Sequence, residues 1–176
     1  MNTAAAADST RRAPRVLLAV LALIAMVVLT IGLLIAFFRD DLPVMAAADL
    51  AAAEARWAAK GPASYDLDLV IGGERPGLVH VEVRNGKATA MSRDGRTPDQ
   101  PRTWGVWTVP GQFETIGREL ELAADPQRQM QAPPGTRLIL QARFHPELGY
   151  PLRYRRLVIG QAPAVSWETL QFTRKE

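Results

Sequence analysis

The sequence predicts an α+β fold, with one N-terminal transmembrane helix followed by an antiparallel β-sheet domain of about six strands and two helices packed on one face. Three observations support this prediction. An uncharged apolar run of 23 residues covers residues 16–38. Six later segments alternate apolar and polar residues with a period of two, as half-buried strands do. Two other segments repeat apolar residues at helical spacing.

The apolar run is the first predicted element. As a helix it reaches about 34 Å, enough to cross the hydrocarbon core of a bilayer with slight tilt. Arg11, Arg12 and Arg15 precede it, so we expect residues 1–15 to form a cytoplasmic tail and the later residues to lie outside. The predicted location is the bacterial inner membrane. Cleavage of the run as a signal peptide near the alanines at 46–48 is the alternative to a retained anchor.

The composition limits the function of the part after the membrane segment. Of 21 Lys and Arg residues three precede the run, and of 18 Asp and Glu residues one does, which leaves eighteen basic against seventeen acidic side chains. A nearly neutral domain does not favour nucleic-acid binding. The chain has no cysteine, so disulfides, thiolate chemistry and a lipoprotein anchor are excluded.

Residues 39–62 are predicted to form a juxtamembrane helix or stalk. Asp41 is the expected cap, Pro43 lies in the expected first turn, and a glycine–proline pair follows Lys60. The apolar face of this helix consists of Leu50, Ala53 and Trp57. We expect it to dock on the following domain through Trp57, or to continue as a stiff stalk from the membrane helix.

The remaining residues, 63–176, are predicted to form one extracytoplasmic α+β domain. Its expected strands cover residues 65–71, 78–84, 87–92, 137–144, 152–159 and 165–172. Asn85-Gly86 predicts a type I′ hairpin turn. Residues 93–103 are expected to be an exposed loop. Thr108 is a plausible cap for a second helix that ends near Ala124.

Several landmarks resemble the bacterial family called domain of unknown function 6174, over about residues 50–173. They are Gly61-Pro62 with Ser64-Tyr65, Val83-Arg84-Asn85-Gly86, Thr108-Val109 with Phe113 and Ile116, and Leu148-Gly149-Tyr150-Pro151 with the closing strand to Phe172. The resemblance implies a small exported domain with a helix followed by a sheet, and it implies no activity. The chain departs from the pattern because a membrane helix takes the place of an anchoring cysteine.

The sequence offers little for catalysis, and we expect no enzyme, no cofactor and no metal. His80 and Glu82 share a strand face and would need His145 from a distant turn to complete a metal site. We expect His145 to bond the backbone of its turn instead. Asp66 and Asp68 alternate with leucines, which is typical of a solvated strand face rather than of a carboxylate pair. The serines lie in no nucleophile pattern.

Two groups of side chains are candidates for an interface. Arg153 and Arg155 share a strand face, and Arg143 is expected across the hairpin from them. This stripe would bind lipid headgroups or an acidic partner, or would pair with Asp66, Asp68 and Glu82 across the sheet. The second group consists of the aromatic residues Trp104, Trp107 and Tyr150. These fit an interface, or else they fill the core between sheet and helix.

The sequence therefore predicts a single-pass membrane protein without catalytic activity. Its expected partners are the lipid bilayer and other membrane or envelope proteins, in an accessory or scaffolding role. The alternative is a module that binds a lipid or small ligand on the open face of the sheet. An apolar concavity would favour this alternative, whereas a flat charged face would disfavour it.

Overall fold

The computed structural model describes Met26, Thr30 and residues 42–126, 135–159 and 165–175. The chain divides into two compact units, Met1–Asp41 and Leu42–Glu176. In the first unit, the Thr30 hydroxyl donates a hydrogen bond to the Met26 carbonyl at 2.8 Å. The rest of the predicted membrane segment lies outside the described residues. No helix in the described part of the chain is both long enough and apolar enough to cross a membrane.

The second unit has the predicted α+β class and the predicted six strands. Its elements in chain order are α1 (Ala47–Lys60), β1 (Tyr65–Gly73), β2 (Gly77–Arg84), β3 (Lys87–Arg93), a 3₁₀ helix (Pro101–Trp107), α2 (Val109–Ala124), β4 (Leu138–Phe144), β5 (Pro151–Val158) and β6 (Val165–Arg174). The 3₁₀ helix was not predicted, because residues 93–103 contain two prolines and no core residue and therefore indicated a loop. Asn85 and Gly86 both have positive φ, as the predicted type I′ turn requires.

The six strands form one antiparallel sheet in the order β3-β2-β1-β6-β5-β4. The first three strands form one meander and the last three another, and the two meet where β1 pairs with β6. Strand β6 therefore lies between β1 and β5. This order determines which charged residues become neighbours.

One face of the sheet is packed against the helices. Apolar side chains alternate onto this face along β1, β2 and β4, as the period of two predicts. The largest completely buried side chains include Tyr65, Leu67, Leu69, Tyr154 and Ile116. Leu50 and Ala53 of α1 are buried in the same core, and Trp57 packs against it. Helix α1 is thus part of the folded unit.

The start of α1 differs from the prediction. The helix begins at Ala47, and the Asp49 carboxylate accepts a hydrogen bond from the Ala46 amide at 2.8 Å. The preceding residues, 42–45, instead run antiparallel along the edge of β4. There the Met45 amide donates to the Leu140 carbonyl at 2.8 Å and the Ala142 amide donates to the Pro43 carbonyl at 3.2 Å. We call residues 42–45 the edge segment.

Helix α2 begins as predicted. The Thr108 hydroxyl oxygen accepts a hydrogen bond from the Gly111 amide at 3.2 Å, and Pro110 lies in the first turn. Phe113 and Ile116 are buried against the sheet. Buried Gln112 ties the helix to β6, because its Oε1 accepts from Trp167 Nε1 at 2.9 Å while its Nε2 donates to the Trp107 carbonyl at 3.0 Å. No local sequence pattern indicates this buried amide.

Candidate interaction surface

The sheet face that points away from α1 and α2, here called the outer face, carries most of the candidate residues. It is built by the residues that alternate with the core positions. On β1 and β2 these include Asp66, Asp68, Val70, Leu78, His80, Glu82 and Arg84. On β4, β5 and β6 they include Gln141, Arg143, Arg153, Arg155, Ser166 and Glu168. Most of these residues are Asp, Glu or Arg, so the outer face is a charged surface.

One part of the outer face, on β1 and β2, is rich in carboxylates. Asp66 binds Arg84 through Oδ1 at 2.7 Å and Lys175 through Oδ2 at 2.8 Å. Arg84 also reaches Glu82 at 3.2 Å. We call Asp66, Asp68 and Glu82, with their cationic neighbours, the acidic group. Its three carboxylates face two full cations, Arg84 and Lys175, so the group carries one net negative charge when His80 is neutral.

Asp66 is the most enclosed carboxylate of the acidic group, with 17% of its side chain exposed. Burial raises its pKa, but the hydrogen bonds from Lys175 and Arg84 and their positive charges outweigh burial, so the pKa lies below its ordinary value of 3.8. Asp66 is therefore ionised at neutral pH. Its two ion pairs hold Arg84, at the end of β2, and Lys175, just after β6, on the outer face.

Both histidines use Nδ1 for a contact within the fold. His80 Nδ1 lies 2.7 Å from Asp68 Oδ1, across the β1–β2 pair, and its Nε2 lies 3.9 Å from Glu82. His145 Nδ1 accepts hydrogen bonds from the Leu148 amide at 3.1 Å and from the Glu147 amide at 3.3 Å. The predicted backbone bonding of His145 is confirmed. In residues 42–126, 135–159 and 165–175, no three acidic or histidine side chains are grouped to hold a metal ion.

A second part of the outer face, on β4 and β5, is basic. Arg143 pairs in register with Arg153, which confirms that it lies across the hairpin. Arg153 Nε lies 3.4 Å from Glu168 on β6, and Arg155 donates to Gln141 Oε1 at 2.8 Å and 3.1 Å. We call Arg143, Arg153 and Arg155, with Glu168, the basic group.

The partners of the basic group include residues that the sequence did not indicate. Pairing with Asp66, Asp68 and Glu82 was one expectation, but β6 lies between β1 and β5. Asp66 binds Arg84 and Lys175 instead, and Glu168 is the carboxylate in register with Arg153. The two charged groups consequently lie on opposite halves of one face.

Apolar side chains lie on the outer face beside the acidic group. Val70 of β1 is in register with Leu78 of β2 on one side and with Glu168 of β6 on the other. Leu78 and Leu170 are 54% and 58% exposed, and they line a shallow cavity of about 280 Å³ with Asp68 and His80. With half-buried Val70 they form an apolar patch on β1, β2 and β6.

Leu170 reaches the outer face because β6 contains a β-bulge. The register with β1 shifts after Asp68, so that Gln171 pairs with Asp68 while Thr169 pairs with Leu69. The sequence carried a signal for this bulge. Trp167 and Phe172 both contribute to the core although they are five residues apart, an odd spacing that a regular strand cannot place on one face.

The predicted aromatic candidates are mostly part of the core. Tyr150 is buried and stacks between His145, at 4.8 Å between ring centroids, and Phe172, at 4.5 Å. Trp104 and Trp107 of the 3₁₀ helix are half-buried and pack against the core. Trp107 meets Trp167 edge-on at 6.5 Å. The structure does not bring these three residues together with the arginine candidates on one surface.

The chain was compared with models of protein families, with curated proteins and with solved structures, and none of the three comparisons gives a match. The resemblance to domain of unknown function 6174 therefore stays a prediction.

Proposed function

We propose that the chain is a single-pass membrane protein of the bacterial inner membrane whose extracytoplasmic unit has no catalytic activity and serves as an accessory or scaffolding subunit of an envelope complex. The partners in this proposal are the lipid bilayer and other membrane or envelope proteins. The observation that carries it is the apolar run of residues 16–38 followed by a domain whose titratable side chains serve as structural contacts.

The structural use of these side chains supports a non-catalytic role. His80 is bonded to Asp68, and the ring nitrogen of His145 is occupied by two backbone amides. Asp66 is held by two cations. A general base needs a lone pair that is free to accept a substrate proton, and Nδ1 of His145 has none because two backbone amides already donate to it. Side chains engaged in this way stabilise the sheet and its turns.

The alternative function, binding of a lipid or small ligand on the open face, has weaker support. The outer face carries the ion pairs of Asp66 and of Arg153, and an apolar ligand that covered it would have to desolvate them. The cavity beside Leu78 and Leu170, about 280 Å³, is slightly below the usual volume of small-molecule sites, which starts at roughly 300 Å³. A charged face of this kind fits a protein partner better.

The membrane orientation can be tested with reporter fusions. A reporter that folds only outside the cytoplasm, fused after Glu176, should be active, because the arginines before the apolar run favour a cytoplasmic N-terminus. The same reporter fused after Arg15 is the matched control and should be inactive. An inactive fusion at Glu176 would overturn the proposed location.

The scaffolding role can be tested by gentle purification. The full chain, tagged at the C-terminus and extracted in mild detergent, should copurify with defined membrane or envelope proteins identified by mass spectrometry. A matched variant with Arg153→Glu and Arg155→Glu, which reverses the basic group, should lose partners that bind this face. Isolation of the chain without any copurifying protein would contradict the proposal.

A further inference from the structure

We infer that the turn between β4 and β5, residues 145–150, is an acid-sensitive clasp, which holds α1 on the sheet while His145 is neutral and loosens it when His145 takes up a proton. We call this turn the clasp, and its switching atom is Nδ1 of His145. The clasp lies wholly within the unit Leu42–Glu176, so it acts whether or not the chain is anchored in a membrane.

The Nδ1 atom of His145 is engaged by two backbone amides of the clasp. It accepts hydrogen bonds from the Leu148 amide at 3.1 Å and from the Glu147 amide at 3.3 Å. An imidazole nitrogen accepts only while it carries no proton, so the ring proton of neutral His145 lies on Nε2. A second proton must then bind at Nδ1, where it meets two N–H donors and breaks both hydrogen bonds. The closed clasp therefore requires a neutral imidazole.

This geometry gives the direction of the pH dependence. The added proton binds to Nδ1 when the clasp is open and not when it is closed, so a falling pH favours the open form. Histidine is the side chain whose charge ordinarily changes between about pH 5 and pH 8. We therefore expect the clasp to be closed at the upper end of this range and to open towards the lower end.

The surroundings of the His145 ring offer no substitute for the neutral form. Charged side chains on the elements packed around the clasp include Glu147 in the turn itself, Arg56 on α1, Glu114 on α2, Arg143 on β4 and Arg174 on β6. Within the part of the chain that the structure describes, none of them forms a hydrogen bond or an ion pair with the ring. The ring stacks on Tyr150 instead, at 4.8 Å between centroids. Burial raises the pKa of Tyr150 above 10.0, so this neighbour stays neutral in acid.

The clasp contacts α1 through its backbone and through aromatic rings. Gly149 lies so close to α1 that a Cβ there would collide with the carbonyl oxygen of Ala53. Tyr150 stacks on Phe172 at 4.5 Å, and Trp57 of α1 meets the same Phe172 ring edge-on at 6.0 Å. Opening of the clasp therefore removes contacts that hold α1 on the sheet. The apolar face of α1 becomes accessible in acid as a result.

The variant His145→Asn tests the clasp. The Asn side-chain oxygen takes nearly the same position as His Nδ1 and accepts backbone hydrogen bonds in turns, but it takes up no proton. Hydrogen–deuterium exchange of the full chain in mild detergent is measured at about pH 8 and about pH 5, with exposure times corrected for the intrinsic effect of pH. On acidification, the clasp and residues 47–60 should exchange at least about tenfold faster in the unmodified chain, because two hydrogen bonds are lost, and less than about twofold faster in His145→Asn.

The variant His80→Asn is the matched control. It removes the other histidine, whose Nδ1 contacts Asp68 on the outer face, and it leaves the clasp intact. Its exchange should respond to acid as that of the unmodified chain does. The chain has only two histidines, so isotope-labelled histidine in this variant gives ring-nitrogen NMR signals from His145 alone. These signals should show a proton on Nε2 and none on Nδ1 at about pH 8, and proton uptake at Nδ1 should coincide with the faster exchange.

The outcomes separate the clasp from other effects of acid. Faster exchange in the unmodified chain and in His80→Asn, abolished by His145→Asn, supports the inference. Equal acceleration in His145→Asn would overturn it, because the response would then come from other groups. If His145→Asn loosens α1 already at about pH 8, the NMR signals decide. Exchange that rises while Nδ1 is still unprotonated, or protonation of Nδ1 without faster exchange, would overturn the inference, whereas coincidence of the two supports it.

Discussion

At the scale of single residues, the Tyr65 hydroxyl connects the sheet to α2. Its oxygen accepts a hydrogen bond from the Val109 amide at 2.9 Å, and Val109 is the first residue of the helix. Amides at a helix start have no partner within the helix, and this one is buried. Tyr65→Phe should therefore lower the free energy of unfolding by roughly 1–3 kcal/mol, the cost of a buried donor left unpaired.

Tyr154→Phe is the matched control for this prediction. The Tyr154 hydroxyl is also buried, but it has no hydrogen-bond partner among the described residues. Its removal should leave the free energy of unfolding unchanged or slightly increased. Urea denaturation followed by tryptophan fluorescence measures both, because all four tryptophans lie after residue 42. Equal destabilisation by the two substitutions would contradict the role of the Val109 hydrogen bond.

The same hydroxyl predicts a loss of stability at high pH. Burial raises the pKa of Tyr65 from 10.0 to about 12, although the hydrogen bond from Val109 lowers it in part. The folded state keeps this proton to higher pH than the unfolded state does. The corresponding stability is fully present below pH 10 and is lost as the pH rises towards 12, by about 2–3 kcal/mol. Tyr65→Phe should make this decline shallower in urea titrations between pH 9 and 12.

Asp66 predicts a loss of stability at low pH instead of at high pH. Its pKa is lower in the folded state, so its contribution to stability is present above pH 3.8 and is lost as the pH falls through the lower value. Asp66→Asn should cost roughly 1–3 kcal/mol at pH 7, because Arg84 and Lys175 lose the carboxylate that binds both of them. The substitution should also reduce the slope of stability against pH below 3.8. A slope as steep as that of the unmodified chain would contradict this assignment.

At the scale of elements, Gly149 sets the distance between α1 and the turn that joins β4 to β5. Its φ is +84°, and a Cβ at this position would collide with the carbonyl oxygen of Ala53 in the middle of α1. Gly149→Ala should therefore destabilise the unit by about 3 kcal/mol or more, from backbone strain and from displacement of the helix.

Gly86→Ala separates these two effects. Gly86 also has positive φ, at +76°, but a Cβ there would meet no atom within 4 Å. Only the backbone strain remains, so the expected cost is about 1 kcal/mol. Thermal unfolding of the two variants measures the difference. If Gly149→Ala cost no more than Gly86→Ala, α1 would not be held as closely to the turn as the structure shows.

The elements also show which features could be predicted from the sequence. The strands and α2 were predictable because their signals are local: alternation around Leu67 and Leu69, the Asn85-Gly86 turn and the cap at Thr108. The edge segment was not, because residues 42–45 are short and their partner, β4, lies about 100 residues later. Pro43 in addition suggested a first helical turn.

The sequence allowed the residues of the candidate surface to be predicted, but not which of them are neighbours. The sequence placed Arg143, Arg153 and Arg155 on one face correctly, because the period of two is local. Whether these arginines pair with Asp66, Asp68 and Glu82 depends on the strand order, and local sequence patterns do not determine the strand order. The insertion of β6 between β1 and β5 separates the charges and makes Glu168 the neighbour of Arg153.

At the scale of the whole molecule, both edges of the sheet are modified in ways that oppose further strand pairing. The edge segment pairs with β4 through Val44 and Gln141. The other edge, β3, carries a bulge where Thr89 donates a hydrogen bond to the Glu82 carbonyl at 3.3 Å. Bulges, charged residues and covering segments at sheet edges oppose aggregation.

The edge segment gives the last prediction. Met45→Pro removes the amide that donates to Leu140, and it should release the segment from β4 at a cost of roughly 1–3 kcal/mol. Met45→Leu keeps the amide and the apolar volume and should cost less than about 1.5 kcal/mol. The Ala142 amide, which donates to Pro43, should exchange its hydrogen faster in Met45→Pro alone, and this variant should aggregate sooner at equal concentration because the edge of β4 is exposed. Unchanged protection of Ala142 would mean that the edge segment does not hold the edge of the sheet closed.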